Sequence, residues 1–272
     1  MAFWNDLINA STLVSLQNEL KNRPRLPEVQ VSELRCVIRA ERSIDALALV
    51  RTAFSVLPDY LPDEASAVAW NRKQIQSYDL MVVALGKTGY GKSTTLNTLL
   101  REEVFETSDI SGCTRKLQSV EYRFEGTERH YFCSFADLPG LGETAELDAK
   151  YYPLYRDTLG KAHVVLYFVR ADQRDYSVDQ CAFDELVAAA GASHKVILVI
   201  NAIDKIEPLN RSLPFAPSRE QQRALDQKLE TLSSIFSVQR SSIVAISGAE
   251  NYNLDELARM ITTRLAHSLV RV

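Results

Sequence analysis

The sequence predicts an α/β fold: an open, mainly parallel sheet of about six strands with helices on both faces, preceded by a helical N-terminal segment. Short apolar runs recur from residue 79 onward, among them "DLMVVALG", "AHVVLYFVR", "KVILVINA" and "SSIVAIS". Helical patterns follow several of these runs, at residues 92–101, 148–159, 178–190, 218–237 and 253–268. Alternating strands and helices are typical of such a sheet. They divide the chain into residues 1–74 and a domain over residues 75–272.

The N-terminal segment is predicted to be helical. Apolar residues recur at helical spacing from Phe3 to Val14, and prolines interrupt the pattern in "RPRLPE". A second helical stretch is predicted over residues 31–57. A third follows the turn "PDYLPDEA" and runs through residues 64–78.

Two further strands complete the predicted sheet. "KLQSVEYRFEG" alternates in character, and a short turn joins it to "RHYFCSFAD", so we expect these strands to form an antiparallel hairpin. Ligands of open α/β sheets bind at the carboxyl ends of the strands. We expect the motifs that carry chemistry to lie at these ends, which predicts a single site at that edge.

The composition is typical of a globular protein with a core. Of the 272 residues 46% are hydrophobic, and the net charge of −4 does not favour a broad nucleic-acid surface. No apolar run approaches the roughly 20 residues that a membrane span needs. The four cysteines are far apart and form no CxxC pair, which predicts reduced thiols and a cytoplasmic location rather than disulfides or a zinc site.

The motif "GKTGYGKS" matches the phosphate-binding pattern G-x-x-x-x-G-K-[ST] between a predicted strand and a predicted helix. Its glycines let the backbone curl so that N–H groups point at phosphate oxygens. The lysine reaches the β- and γ-phosphates, and the serine hydroxyl coordinates Mg²⁺. The predicted nucleotide-binding residues are Gly86, Lys87, Thr88, Gly89, Tyr90, Gly91, Lys92, Ser93 and Thr94.

Two loops are predicted to complete the Mg²⁺ and γ-phosphate site. In "FADLPGLGE", the Asp137 carboxylate can hold Mg²⁺ through water and the Gly140 N–H can contact the γ-phosphate. In "SDISGCTRK", Thr114 is the candidate whose hydroxyl binds Mg²⁺ and whose main chain meets the γ-phosphate. Three neighbours compete for that role: Thr107, Ser108 and Ser111.

Two later strand ends predict which base is bound. "VINAIDK" carries N-x-x-D at Asn201 and Asp204. A carboxylate there can accept hydrogen bonds from the N1–H and 2-amino groups of guanine, a donor pair that adenine lacks. In "VAISGAEN", main-chain N–H groups around Ser247 and Gly248 can meet the guanine O6. The pattern therefore favours a guanine nucleotide.

These motifs, in this order, resemble those of the Era-like P-loop GTPases, which belong to the translation-factor-related class. The sequence is most similar to the bacterial YfjP-like group, described as 50S ribosome-binding GTPases, through "GKTGYGKST", "CTRK", "DLPGLGE" and "VRADQR". The resemblance covers residues 75–268. It implies a G domain that binds GTP or GDP with Mg²⁺, and Ser93, Thr114 and Asp137 as the Mg²⁺ residues.

The sequence departs from the family pattern at two positions. Ala202 stands where N-K-x-D has a lysine whose stem packs along the base, and Lys205 is a doubtful substitute. Leu141 follows D-x-x-G, where Ras-type enzymes place a glutamine that orients the attacking water. Arg115 and Lys87 are the candidates for a cation that assists hydrolysis, although either could be an ordinary solvated charge.

We therefore expect an Mg²⁺-dependent GTPase switch with slow or dimer-stimulated turnover. Its expected catalytic residues are Lys92, Thr114, Gly140 and Arg115. A GTP-binding interaction module with negligible hydrolysis is the alternative, and a P-loop ATPase or kinase is a third reading. We expect a protein effector of unknown identity. "RADQRDYSVDQ" is either a polar loop or a contact with a second copy across the nucleotide. Ribosome contact is implied by the resemblance alone.

Overall fold

The structure is a computed structural model that describes residues 37–38, 76–107, 117–125, 129–142, 145–209 and 212–270. The strands are β1 (Val37–Ile38), β2 (Gln76–Gly86), β3 (Gln118–Glu125), β4 (Arg129–Asp137), β5 (Val164–Arg170), β6 (Val196–Asn201) and β7 (Ile243–Ala245). The helices are α1 (Lys92–Leu100), α2 (Ala145–Lys161), α3 (Ser177–Phe183), α4 (Arg219–Ile235) and α5 (Leu254–Val270). A π-helical turn, Asp184–Ala188, continues α3.

The strands form one sheet in the order β1-β3-β4-β2-β5-β6-β7. Strands β4, β2, β5, β6 and β7 are parallel, whereas β3 pairs antiparallel with β4 as the predicted hairpin. The chain leaves β2 toward β3 and β4 on one side and returns to β5 on the other. The carboxyl end of β2 is therefore the point where the strand order reverses, which is where such sheets bind ligands.

The sheet is covered on both faces, because successive residues of its strands point to opposite sides. In β2, Leu80, Val82 and Ala84 pack with apolar residues of α1 and α5. Val83 and Leu85 pack on the opposite face with apolar residues of α2, α3 and α4. The predicted fold class is confirmed: an α/β G domain with a mainly parallel sheet.

The N-terminal segment differs from its helical prediction at the two positions described. Val37 and Ile38 are extended and pair antiparallel with Arg123 and Tyr122 of β3, which adds a seventh strand at the sheet edge. Two β-branched residues suit a strand, and β3 offers them an unpaired edge. The prediction of a third helix through residue 78 is also wrong at its end, because residues 76–78 belong to strand β2 and pair with β4. The remaining predictions for residues 1–74 lie outside the described residues.

Two further expectations concern the cysteine thiols and membrane-spanning helices. Within the described ranges, Cys133 and Cys181 are free thiols, whereas Cys36 and Cys113 lie outside those ranges. Among the same residues, no helix has the length and apolar character needed to cross a membrane.

Candidate functional site

The phosphate loop is built from three glycines with positive φ: 145° at Gly86, 77° at Gly89 and 78° at Gly91. Two of them also lack room for a side chain. A Cβ at Gly86 would lie 2.6 Å from the Phe168 main-chain oxygen, and one at Gly91 would lie 2.4 Å from Asn201 Nδ2. The loop thus fits closely against β5 and β6 only because these residues are glycines.

Lys92 begins α1 and is 6% exposed. Its Nζ donates to the main-chain oxygens of Gly86 at 3.0 Å and of Lys87 at 3.2 Å. A buried ammonium must be compensated in this way, because it has left water. The two bonds hold the charge inside the curl of the loop, where phosphate oxygens are expected. Thr94, in the first turn of α1, is exposed.

Ser93 and Asp137 meet although they lie 44 residues apart in sequence. Ser93 Oγ donates to Asp137 Oδ2 at 2.5 Å, and Asp137 is fully buried at the end of β4. A hydroxyl and a carboxylate are the hard oxygen ligands that suit Mg²⁺. In the described part of the chain no group of three or more His, Cys, Asp or Glu could hold a metal. The pair therefore fits an Mg²⁺ ion whose other ligands are phosphate oxygens and water.

The D-x-x-G turn lies directly on the phosphate loop. Leu141 N donates to Gly86 O at 3.2 Å, and Thr88 N donates to Leu141 O at 3.4 Å. A Cβ at Gly140 would lie 1.9 Å from Thr88 Oγ1. Only glycine permits this approach, which brings the Gly140 main chain beside the loop that receives the phosphates.

The Leu141 side chain points into the core. It is 4% exposed and packs among the apolar residues between the sheet and helices α2 to α4. Leucine carries no polar group, so it cannot orient a water molecule. The structure adds that this side chain faces the protein interior rather than the site.

The two predicted base-recognition segments are brought together by Asn201 at the end of β6. Its Nδ2 donates to the Tyr90 main-chain oxygen at 2.9 Å, and its Oδ1 accepts from Gly248 N at 3.0 Å. Ser247 Oγ donates to Asp204 Oδ1 at 2.7 Å. Asn201 therefore joins the phosphate loop to the "SGA" loop, and Ser247 orients the Asp204 carboxylate.

Asp204 is 7% exposed, and its second oxygen pairs with Lys205 Nζ at 2.9 Å. The Lys205 side chain is largely exposed, so this ion pair is on the solvent side. Ala202 has φ 60° and ψ 41°, and a short 3₁₀ turn, Ile203–Lys205, follows it. That turn presents the Asp204 carboxylate at the edge of the sheet, with only a methyl group at the position of the family's lysine.

A buried cluster beside the phosphate loop was not predicted. Asp179 of α3 accepts at Oδ2 from Lys87 Nζ at 2.9 Å and from Tyr90 Oη at 3.3 Å. Burial raises the pKa of the Asp179 carboxyl, and the contacts with Lys87 and Tyr90 oppose that rise. Tyr90 Oη also lies within hydrogen-bond distance of Gln173 Oε1, so its single proton is shared between Gln173 and Asp179. No motif marks Asp179, since a lone aspartate in a helix usually faces solvent.

This cluster changes the interpretation of Lys87. Its side chain is only 20% exposed and forms an ion pair with Asp179, so it is not an ordinary solvated charge. That its ammonium assists hydrolysis stays a prediction. Thr114 and Arg115, together with Ser108 and Ser111, lie outside the described residues. Asp175, in the loop before α3, accepts from Ser177 N at 2.9 Å.

Together, the parallel sheet, the phosphate loop that opens α1 and the clustered strand-end residues define a P-loop G domain. Residues 81–202 match the family model described as 50S ribosome-binding GTPase. Over 195 residues the chain is 29% identical to the uncharacterized protein YfjP of Escherichia coli K12, covering 72% of this chain and 64% of YfjP. It is 31% identical over 163 residues to the uncharacterized protein YkfA of the same strain, covering 60% of this chain and 54% of YkfA.

The solved structures show the same class. An Aquifex aeolicus Era variant bound to GDP and AlF₄⁻ has 26% identity and a TM-score of 0.54, over 68% of this chain and 56% of that one. Era in complex with MgGDPNP and a 16S ribosomal RNA fragment has 28% identity and a TM-score of 0.51, with the same coverage. The chain resembles Era-like P-loop GTPase domains and is similar to YfjP. It spans less than two thirds of each of these relatives.

Proposed function

We propose that this protein binds GTP and GDP with Mg²⁺ and hydrolyses GTP to GDP and phosphate. The observation that carries the proposal is the linkage through Asn201. It joins the phosphate loop to the loop of Ser247, which in turn orients Asp204. This linkage supports a single site at the switch point of the sheet, in which the same bound molecule meets the phosphate loop and Asp204.

Each residue has a physical task in this proposal. The loop N–H groups and Lys92 bind the phosphates, and their positive charge stabilises the charge on the transferred phosphoryl group. Ser93 and Asp137 hold Mg²⁺, which neutralises phosphate charge. The Asp204 carboxylate accepts two hydrogen bonds from guanine. Adenine would leave that buried carboxylate without donors, a loss that disfavours ATP.

The contact between Thr88 and the D-x-x-G turn supports a switch role. Thr88 N donates to Leu141 O across 3.4 Å, which is long for a hydrogen bond. A γ-phosphate oxygen bound there would offer this N–H a charged acceptor, and charge-assisted hydrogen bonds are the stronger kind. We infer that GTP moves the turn relative to the loop, and that phosphate release lets it return.

Isothermal titration calorimetry with GDP and ADP, each with Mg²⁺, tests the binding part of the proposal. We expect GDP to bind at one site with higher affinity than ADP, and Lys92→Ala to lose GDP binding. Lys161→Ala is the matched control, because that lysine is exposed on α2 and pairs with Asp157. Equal affinity for the two nucleotides, or binding of neither by the wild-type protein, would overturn the proposal.

Slow or dimer-stimulated turnover is the finer part of the proposal, and Leu141 motivates it. Phosphate release from GTP is measured at increasing protein concentration. A rate per molecule that rises with concentration supports activation by a second copy. A constant, measurable rate supports hydrolysis by the single chain. No release above the Lys92→Ala background supports the interaction module instead.

A further inference from the structure

The base-recognition segment lacks the cation that the family pattern predicts at Ala202. Arg170, the last residue of β5, lies next to this gap: it is paired in register with Asn201 of β6. The main chains are also joined there, since Ala171 N donates to Asn201 O at 2.8 Å. A cationic side chain from the neighbouring strand therefore begins at the same edge of the sheet as the missing lysine.

Two anchors fix the Arg170 guanidinium. Its Nη1 donates to the Gly89 main-chain oxygen of the phosphate loop at 3.3 Å. Its Nε and Nη2 donate to the two carboxylate oxygens of Asp172 at 2.9 and 2.7 Å. This forked pairing sets the plane of the group, and the loop contact sets its position. The Arg170 side chain remains 35% exposed, so part of the group is accessible to a ligand.

Electrostatics also connect Arg170 with base recognition. The hydrogen bond from Arg170 lowers the pKa of Asp172, so both groups stay charged. The hydrogen bond to Asp172 raises the pKa of Arg170, and attraction to the Asp204 carboxylate adds a smaller contribution. Its charge opposes the rise in the pKa of Lys205. Arg170 thus contacts the phosphate loop and is attracted to Asp204, the residue proposed to select guanine.

We propose that Arg170 supplies, from β5, the base-stacking cation that Ala202 lacks, and that Asp172 positions it. A guanidinium is planar and weakly hydrated, which lets it stack on a purine face. The inference rests on the proposed function, because it assigns a specificity residue to the same nucleotide site. The group that Arg170 contacts is the guanine ring.

The opposing explanation is that Arg170 only braces the phosphate loop through Gly89. The two roles differ in ligand dependence. A stacking role affects ligands that carry a base and spares inorganic pyrophosphate. A bracing role affects GDP and pyrophosphate alike, because both use the loop.

The test is calorimetric titration of the full chain with GDP and with pyrophosphate, each with Mg²⁺. We expect Arg170→Ala to weaken GDP binding about tenfold, the range of a partly desolvated cation–π contact, and to leave pyrophosphate binding unchanged. Asp172→Asn should weaken GDP binding less, since the guanidinium remains but is less well held. Arg174→Ala is the matched control, an exposed arginine in the same loop.

Rescue provides the second readout. Adding Ala202→Lys to the Arg170→Ala variant should recover most of the lost GDP affinity, because it restores a cation beside the base. Equal losses for GDP and pyrophosphate, or no loss of GDP affinity, overturn the inference while the proposed function stands. If the wild-type chain binds no GDP, the proposed function fails and this inference fails with it.

Discussion

At the scale of single residues, the proposed selection of guanine depends on Asp204. Its carboxylate is buried, one oxygen accepts from Ser247, and the other faces the exposed Lys205. The Lys205 side chain is largely exposed, so its ammonium can move into solvent when a ligand donor replaces it at Asp204. The oxygen it leaves can then accept from a guanine ring, so the pair does not block the base.

The first prediction concerns a variant in which an amide replaces this carboxylate. Asp204→Asn keeps an oxygen for Ser247 but loses the charged acceptor, so GDP affinity should fall about a hundredfold. The amide N–H can donate to the 2-carbonyl of xanthine, so binding of xanthosine diphosphate should rise. Calorimetry with both nucleotides checks this. Lys205→Ala should change GDP affinity little, and an Asp204→Asn variant that keeps wild-type GDP affinity would refute the assignment.

Leu141 contributes to stability through its buried side chain. The sequence predicted that it cannot orient water, and the structure shows its side chain in the core. A glutamine at this position would have to bury its amide or pull the turn away from the phosphate loop. Burial of an unpaired amide costs about 1–3 kcal/mol.

The second prediction follows from that cost. Leu141→Gln should lower the free energy of unfolding by about 2 kcal/mol or more, because it combines lost apolar burial with a buried polar group, and should not speed GTP hydrolysis. Urea unfolding and phosphate release measure the two effects. Leu141→Met should cost less than about 1.5 kcal/mol, as a swap of similar volume. Faster hydrolysis with unchanged stability would contradict the placement of this side chain.

At the scale of elements, the strands and helices of the domain were predictable because their signals are local. Apolar runs and helical periodicity depend on neighbouring residues only, and the motifs mark their strand ends. Three features were missed because they depend on contacts distant in sequence. Val37 and Ile38 require the free edge of β3, Asp179 requires Lys87 and Tyr90, and Arg170 requires the Gly89 carbonyl. No local pattern carries such pairings.

Helix α4 offers an element-scale prediction at its start. Ser218 Oγ accepts from Gln221 N at 3.2 Å, and Gln221 Oε1 accepts from Ser218 N at 2.9 Å, which is a complete capping box. Ser218→Ala should therefore lower the free energy of unfolding by about 1 kcal/mol. Ser234→Ala, near the other end of α4, should change it by less than about 0.5 kcal/mol. Urea denaturation of both variants checks this; equal effects would argue against the cap.

At the scale of the whole molecule, two apolar layers hold the sheet, and a histidine lies between two of its strands. His163 Nδ1 accepts from Met81 N at 3.1 Å, where β5 begins beside β2. Burial, aided by the nearby Lys195, lowers the pKa of His163 to about 4. The folded protein therefore keeps this ring neutral at a pH where the unfolded chain protonates it.

The free energy of unfolding should therefore fall as the pH falls from about 6.5 toward 4. Between the ordinary histidine pKa of about 6.5 and the folded value of about 4, the unfolded state binds the extra proton. The contribution of His163 is thus fully present above pH of about 6.5 and is lost as the pH falls toward 4. His163→Asn retains an acceptor for Met81 N–H and should show a smaller loss of stability over that window. An unchanged pH profile would contradict the neutral buried ring.

Phosphate release from nucleoside triphosphates by the full chain with Mg²⁺ tests most directly whether the protein hydrolyses GTP at this site. We predict release from GTP that exceeds release from ATP and disappears in Lys92→Ala, because the phosphate loop and Asp204 act on the same bound molecule. Equal release from ATP, or release that survives Lys92→Ala, would contradict it.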